Sequence, residues 1–161
     1  MVFVTVGTQD KQFKRLLEEV ERLIKNGKIT DTVVAQIGNT KFKTDLDSKF
    51  MHLIEFTTQR EMEALIENAE FIITHGGVAT IIEGLNMNKK VIAVPRLKKY
   101  KEHVNDHQMQ IIENFNDNGY IIGTRGVEEL ENALEKVETF VPKIYNSNNE
   151  KFVERLVNNI I

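Results

Sequence analysis

One segment of the sequence combines residue types that bind phosphate and sugar. The segment THGGVATIIEG follows an apolar run and carries, at fixed spacing, His75, Gly76, Gly77, Thr80 and Glu83. Glycine lets the backbone approach a ligand closely, and a helix starting near Gly77 presents unpaired N–H groups and the positive end of its dipole. His75 and Thr80 can donate to the same anion. Glu83 shares a helix face with Thr80, where its carboxylate can accept hydrogen bonds from ribose hydroxyls.

This spacing predicts a site for a nucleoside diphosphate. Phosphate donors lie at the start of the helix, and a diol acceptor lies further along the same face. The alternative is purely structural: Gly76 and Gly77 make a tight strand-to-helix turn, His75 caps it, and Glu83 faces water. Each residue taken alone favours that alternative, whereas the combined pattern H-x-G-x-x-T-x-x-E directly after a strand favours the ligand site.

The elements that position this segment follow from hydrophobic periodicity. Short apolar runs alternate with segments of helical period, which is typical of a parallel sheet covered by helices. The predicted strands are Val2 to Val6, Thr32 to Ile37, Met51 to Phe56, Phe71 to Thr74, Val91 to Val94 and Tyr120 to Ile122. We therefore expect an α/β fold, a Rossmann-like doubly wound parallel sheet of about six strands.

The order of these strands decides which loops meet. Right-handed crossovers favour the order 3-2-1-4-5-6, in which strands one and four are neighbours where the order reverses, and ligands of such folds bind at that point. Gly7, Thr8 and Gln9 follow strand one, and His75 leads the loop after strand four. The topology thus brings two glycine-bearing loops to one crevice.

Length and composition limit the remaining possibilities. At 161 residues with 41% hydrophobic content, the chain suits one compact domain. Residues 1–144 are predicted to form it, and residues 145–161 an amphipathic helix that either packs on the domain or docks a partner. The net charge of -3 disfavours nucleic-acid binding. With no cysteine, no signal peptide and no apolar run near the roughly 20 residues that span a bilayer, we expect a cytoplasmic protein.

The glycine-rich motif also resembles a known family. HGGVATIIE is similar to the donor signature of GT-B UDP-glycosyltransferases, in which His and Gly hold the diphosphate and Glu holds the ribose. The run VIAVPRLKKYKEHVNDHQ continues the resemblance, because Asp106-His107-Gln108 is similar to the acidic-glutamine pair that holds sugar hydroxyls. The likeness covers residues 1–125, and it includes Gln36 near the end of strand two and Phe56 at the end of strand three.

The chain is identified as a member of the glycosyltransferase family 28 C-terminal domains. It resembles most the one-domain catalytic subunits of two-subunit UDP-sugar glycosyltransferases, of the exopolysaccharide or capsule type and of the N-glycan N-acetylglucosaminyltransferase. The resemblance implies inverting transfer of a hexosyl residue from a UDP-sugar to a lipid-linked saccharide, with no required cofactor or metal. The expected donor-binding residues are Gly7, Thr8, Gln9, Gln36, Phe56, His75, Gly76, Gly77, Thr80, Glu83, Asp106, His107 and Gln108.

The resemblance implies a partner as well. A GT-B enzyme closes a cleft between two such domains, so we expect a second, membrane-associated subunit to supply the acceptor site, holding this chain at the inner face of the membrane. His107 is an alternative acceptor contact, and the sequence does not identify the general base. A non-catalytic UDP-sugar-binding regulatory subunit stays open as an alternative, whereas an epimerase of GT-B architecture needs both halves of the cleft.

The sequence departs from related patterns at several positions. His75 and Gly76 stand where the peptidoglycan enzyme of the family has an arginine-serine pair. Strand two ends in Gln36 rather than an acidic residue, and the loop at Gly7 is no G-x-G-x-x-G, so a dinucleotide-dependent dehydrogenase is disfavoured.

Three weaker patterns have other interpretations. Asp45-Leu46-Asp47 has the D-x-D form of metal-dependent glycosyltransferases but lies in a polar connection. Metal ligation by His103, Asp106 and His107 fits on spacing alone. A basic loop follows strand five, and it is either solvated or attracts lipid-linked pyrophosphate and anionic headgroups; its residues are Arg96, Lys98, Lys99 and Lys101.

Overall fold

The computed structural model describes residues 1–146 and Phe152. Strands and helices alternate along nearly the whole of this part of the chain. Their order is β1 (Val2–Thr5), α1 (Lys14–Lys25), β2 (Val33–Gln36), β3 (Met51–Ile54), α2 (Gln59–Asn68), β4 (Phe71–His75), α3 (Val78–Asn86), β5 (Lys90–Val94), α4 (His107–Asp117), β6 (Ile122–Gly123) and α5 (Leu130–Val137). Short 3-10 turns occupy Lys98–Tyr100 and Val127–Glu129.

The strands form one six-stranded sheet in the order β3-β2-β1-β4-β5-β6, and every described pairing is parallel. The α/β prediction and the predicted strand order are therefore confirmed. In register, Thr5 at the end of β1 lies beside Gln36 on one side and Thr74 on the other. The carboxyl ends of β1 and β4 meet at the switch point, as expected.

Alternation along the strands explains why helices cover both faces. Val2 and Val4 of β1 belong to one hydrophobic cluster and Phe3 to another, because successive side chains point to opposite faces of a sheet. The first cluster contains α1, α5 and Phe42 from the irregular 38–50 connection. The second contains α2, α3 and α4. Strands buried on both faces read as continuous Val/Ile runs, which is why these segments were recognisable.

Helix boundaries have local causes. At the start of α2, Thr58 accepts a hydrogen bond from the backbone N–H of Glu61, whose side chain reaches back to Thr58, forming a capping box. α1 begins after Phe13, whose N–H donates to Thr40 Oγ1 at 3.1 Å. The 38–50 connection thus supports the start of α1.

The predicted last strand begins two residues late, at Ile122. Tyr120 and Ile121 are buried beneath α4 in an aromatic cluster instead of pairing with β5. Phe152 lies 4.8 Å from Phe115 and 5.1 Å from Tyr120, measured between ring centroids, and Tyr145 lies 5.4 Å from Tyr120. These two positions of the predicted terminal helix therefore pack on the domain. Tyr145 and Asn146 are not helical, so the predicted helix does not begin at residue 145, and its residues other than Phe152 lie outside the described residues.

No helix within the described residues is both long enough and apolar enough to cross a lipid bilayer.

Candidate functional site

The switch point places His75 between two glycines. His75 ends β4 and is only 5% exposed. A methyl group on Gly7 would lie 2.5 Å from His75 Nε2, and one on Gly77 would lie 2.4 Å from Cε1. Gly7 has φ +77°, in the region that favours glycine. The two predicted loops do meet, and their glycines make room for the imidazole ring.

Among the described residues, one ring nitrogen of His75 has a polar side chain within hydrogen-bonding distance, and the other nitrogen has no hydrogen-bonding partner. Nδ1 lies 3.4 Å from the side-chain nitrogen of Gln108. No described residue hydrogen-bonds Nε2, which lies against Gly7 and Gly77 beside the start of α3. Burial, together with the positive charges of Arg96 and His103, lowers the pKa of His75 to about 3. The ring is therefore neutral at pH 7, with Nε2 available to a ligand.

Because His75 is buried in its neutral form, we expect the protein to lose stability at low pH. In the unfolded chain His75 binds a proton below about pH 6.5, whereas in the folded chain it does so only near pH 3. The contribution of neutral His75 to the free energy of unfolding is therefore complete above pH 6.5 and is lost as the pH falls from 6.5 to 3. At pH 5 the loss amounts to about 2 kcal/mol. Urea denaturation at pH 7.5 and pH 5 should show this extra loss in the wild type and not in His75→Gln.

The matched control for that experiment is His52→Gln, because His52 is exposed on β3. It should keep the wild-type pH dependence. If wild type and His75→Gln lose stability equally on acidification, His75 is not buried in its neutral form.

The start of α3 supplies further donors. Gly77 occupies the N-cap position, and no side chain caps the helix. The N–H groups of the first turn, which have no partner within a helix, stay open to an anion. Thr80 is half-buried in this turn. His75 Nε2 thus lies beside Gly77, the N-cap residue of α3, and the binding of a diphosphate there stays a prediction.

Hydrogen bonds from Gln36 hold the loop at Gly7. Its side chain is 1% exposed, its oxygen accepts from the hydroxyl of Thr5, and its nitrogen donates to the carbonyl oxygens of Glu55 at 2.8 Å and Gly7 at 3.4 Å. A methyl group on Gly38 would lie 2.3 Å from the oxygen of Gly7. A direct contact of Gln36 with a donor stays a prediction; its described contacts tie the ends of β1, β2 and β3 together.

The tips of these loops are held as well. The side chain of Asn39 donates to the carbonyl oxygens of Thr8 at 3.1 Å and Gln9 at 3.2 Å. Thr8 is exposed and Gln9 is half-buried. The predicted donor-binding loop is therefore braced by the loop after β2.

The residues expected to hold the sugar mainly form hydrogen bonds within the protein. Gln108 is 4% exposed, and its oxygen accepts from the N–H groups of Gly76 at 3.3 Å and Arg96 at 3.0 Å. Asp106 is exposed and accepts from the N–H of Lys98 at 2.9 Å. The side chain of His107, at the start of α4, is half-buried. Sugar contacts by these residues stay predictions, and the structure shows their loop-holding contacts.

The structure places two further predicted residues, Glu83 and Phe56, on α3 and after β3. Glu83 is half-buried and its carboxylate accepts from the side chain of Gln59 on α2 at 2.8 Å. Phe56 is 53% exposed after β3, and it lines an open cavity of about 700 Å³ together with Gly38. Within the described part of the chain, no hydrogen bond joins either residue to His75.

The prediction that Arg96 belongs to a solvated or ligand-attracting basic loop is wrong. Arg96 is fully buried, and its guanidinium donates to the carbonyl oxygens of Val6, Lys11 at 2.9 Å and Glu102 at 3.4 Å. Burial lowers its pKa to about 10, against the opposing effect of Glu102, so Arg96 stays charged at pH 7. The signal in the sequence was its position inside the apolar run VIAVPRL, where a solvated arginine is unexpected.

A second arginine fixes the outer part of this loop. Arg15 on α1 forms a bidentate ion pair with the buried carboxylate of Glu102, at 2.8 and 3.0 Å. Its guanidinium carbon also lies 3.6 Å from the centre of the Tyr100 ring. Lys98, Lys99 and Lys101 are exposed on the loop held in this way. Sequence spacing gave no signal for a pair separated by 87 positions.

The two patterns considered as metal sites have protein partners. Asp45 pairs with Lys25 at 3.0 Å, and Asp47 accepts from the N–H of Lys49 at 2.9 Å. His103 Nδ1 accepts from the N–H of Asn105 at 3.3 Å. Over residues 1–146 and Phe152, no three His, Cys, Asp or Glu side chains form a cluster that could hold a metal ion.

Comparison with known proteins adds evidence of ancestry. The family model described as glycosyltransferase family 28 C-terminal domain matches residues 1–160. A UDP-N-acetylglucosamine transferase subunit ALG13 from Candida glabrata is 32% identical over 90 residues, which cover 54% of this chain and 43% of that protein. The chain therefore spans less than half the length of this curated relative.

Solved structures share the fold. The NMR structure of ALG13 has a TM-score of 0.62 at 21% identity and covers 97% of this chain and 94% of its own. The UDP-GlcNAc 2-epimerase of Methanocaldococcus jannaschii, solved with UDP-GlcNAc and UDP, has a TM-score of 0.65 at 20% identity and covers 99% of this chain and 44% of its own. At these identities the likeness shows the GT-B, Rossmann-like fold alone.

Proposed function

The chain belongs to the glycosyltransferase family 28 C-terminal domains, and from that premise we propose that it is the UDP-sugar-binding catalytic subunit of a two-subunit inverting glycosyltransferase. Its reaction transfers a hexosyl residue to a lipid-linked saccharide, in exopolysaccharide or capsule biosynthesis. Galactose, glucuronic acid, glucose and N-acetylglucosamine are the candidate sugars, and the name of the Candida glabrata relative favours testing N-acetylglucosamine first.

One observation carries this proposal more than any other. His75 is nearly completely buried, yet its Nε2 has no hydrogen-bonding partner among the residues described and lies beside an uncapped helix start. Within the described residues, the fully buried side-chain atoms without a partner are Thr74 Oγ1, Arg96 Nε and Asn114 Nδ2, so Nε2 reaches the protein surface, where an anion can accept from it. A diphosphate at the crevice between Gly7 and Gly77 would accept from Nε2 and from the first N–H groups of α3.

These groups suit the departure of UDP. Negative charge grows on the leaving diphosphate as the glycosidic bond breaks, and donors already held in place stabilise that charge without reorganising. His75 cannot act as the general base for the acceptor hydroxyl while its pKa lies near 3. We therefore assign the base, like the acceptor site, to a membrane-associated partner subunit.

Ribose recognition falls to Glu83 in this proposal. Glu83 lies one turn beyond Thr80 on α3, and its bond to Gln59 is exposed, so ribose hydroxyls can replace it without leaving a buried group unpaired. The exposed ring of Phe56, after the edge strand β3, offers an apolar surface to the nucleoside.

Calorimetric titration of the purified chain with UDP and a panel of UDP-sugars tests donor binding. His75→Ala should weaken UDP binding roughly 10- to 100-fold, because hydrogen bonds to charged groups contribute about 1.5–3 kcal/mol. His52→Ala, at the exposed histidine of β3, is the matched control and should bind as the wild type does. Unchanged affinity in a folded His75→Ala protein would contradict the proposal.

A transfer assay on the chain co-expressed with its partner separates catalysis from regulation. His75→Ala and Glu83→Ala should both reduce transfer. If transfer survives both changes, the chain is instead a non-catalytic regulatory subunit.

A further inference from the structure

Gln108 connects the two loops of the site to the ring of His75. It lies in the first turn of α4 and is buried. Its oxygen accepts from two backbone N–H groups, those of Gly76 after β4 and Arg96 after β5. Two donors facing one atom require that atom to be the amide oxygen, so the orientation of the amide is fixed by its partners.

The other end of the amide must then donate towards His75. The nitrogen of Gln108 lies 3.4 Å from Nδ1, and an NH₂ group has hydrogens but no lone pair to offer. Nδ1 therefore acts as the acceptor of this pair. In a neutral imidazole only one nitrogen carries a proton, and when Nδ1 accepts, the proton is on Nε2.

We propose that Gln108 is a positioning residue that holds His75 in the Nε2–H tautomer, directing the only N–H of the ring into the crevice between Gly7 and Gly77. The opposite tautomer would present a lone pair to the diphosphate and repel it. Gln108 then contributes to phosphate recognition by orienting His75, and it does not contact the sugar. Its consequence for ligand binding rests on the proposed function, whereas the tautomer itself does not.

The groups around the ring are consistent with a neutral donor. Arg96 and His103 oppose a positive charge on the imidazole. The nearest buried carboxylate, Glu102, is already paired with Arg15 and with the N–H of Leu97. His75 therefore binds an anion through the direction of its N–H and not through a positive charge.

The tautomer of the wild-type protein can be observed directly. Long-range ¹H–¹⁵N correlation spectra of ¹⁵N-labelled protein distinguish a protonated from an unprotonated ring nitrogen, and the His75→Gln spectrum identifies the His75 signals. We expect Nε2 protonated and Nδ1 unprotonated at pH 7, without ligand. A protonated Nδ1 would overturn the inference, even if UDP binds.

Gln108→Glu tests whether the amide of Gln108 sets the tautomer of His75. A glutamate oxygen can still accept from Gly76 and Arg96, but its second oxygen can only accept, so it should draw a proton onto Nδ1. We expect Nδ1 protonated and UDP affinity at least tenfold weaker. Gln110→Glu adds the same charge at an exposed position of α4 and should change neither result.

The outcomes separate the inference from the proposed function. If Gln108→Glu folds and Nδ1 stays unprotonated, Gln108 does not set the tautomer and the inference fails. If Gln108→Glu does not fold, the wild-type spectrum decides. If the tautomer is as expected but UDP does not bind the wild type beside its partner, the positioning role stands and the proposed function fails.

Discussion

Gly7→Ala should destabilise the fold by about 3 kcal/mol and abolish measurable UDP binding. Alanine at φ +77° costs about 1–2 kcal/mol, and its methyl group would lie 2.5 Å from His75 Nε2. That ring has little room to move, because Gly77 also lies against it and Gln108 lies beside Nδ1. Relieving such overpacking typically costs a further 1–3 kcal/mol. Urea denaturation and UDP titration measure the two effects.

Gly27→Ala is the matched control for this change. Gly27 has φ +73°, close to that of Gly7, but no atom lies within 4 Å of the position of an added methyl group. It should lose only the cost of the backbone conformation and leave UDP binding intact. Equal losses of stability in the two variants would show that the ring does not press on Gly7, and unchanged UDP binding by a folded Gly7→Ala protein would remove the crevice from the proposed site.

The fold could be predicted from the sequence because general rules determine it. Buried parallel strands read as apolar runs, and right-handed crossovers leave few ways to order them. From these rules alone Gly7 and His75 were expected at one crevice, and the structure brings them into contact. The boundary of β6 was predicted less well, because Tyr120 and Ile121 look like strand residues and are buried for a different reason, packing under α4.

The contacts of the site could not be predicted because they join distant segments. A residue type and its spacing show that Gln108 is polar and near the crevice, but not that its amide turns inwards to Gly76 and Arg96. For the same reason Glu83 was expected to face the ligand, and in the structure it contacts Gln59 on α2. Such partners depend on how α2 and α4 pack, which sequence periodicity does not specify.

A second prediction of large effect concerns Arg96, which joins the loop after β5 to the loop between β1 and α1. Its guanidinium donates to two carbonyl oxygens of the loop between β1 and α1, those of Val6 and Lys11, and to the carbonyl oxygen of Glu102 in its own loop. Methionine would fill much of the same volume but leave these carbonyls without their donor. Since each buried polar group that loses its partner costs about 1–3 kcal/mol, Arg96→Met should destabilise the protein by roughly 3–5 kcal/mol.

Urea denaturation of Arg96→Met measures that loss, and Arg22→Met is the matched control. Arg22 is exposed on α1 and pairs with Glu19 and Glu131, and exposed ion pairs contribute little, so its replacement should leave stability nearly unchanged. Removing the charge of Arg96 should also raise the pKa of His75, because that charge opposes the imidazolium. If Arg96→Met is as stable as Arg22→Met, the loop that carries Val6 and Lys11 is held without the guanidinium, and Arg96 does not stabilise the site.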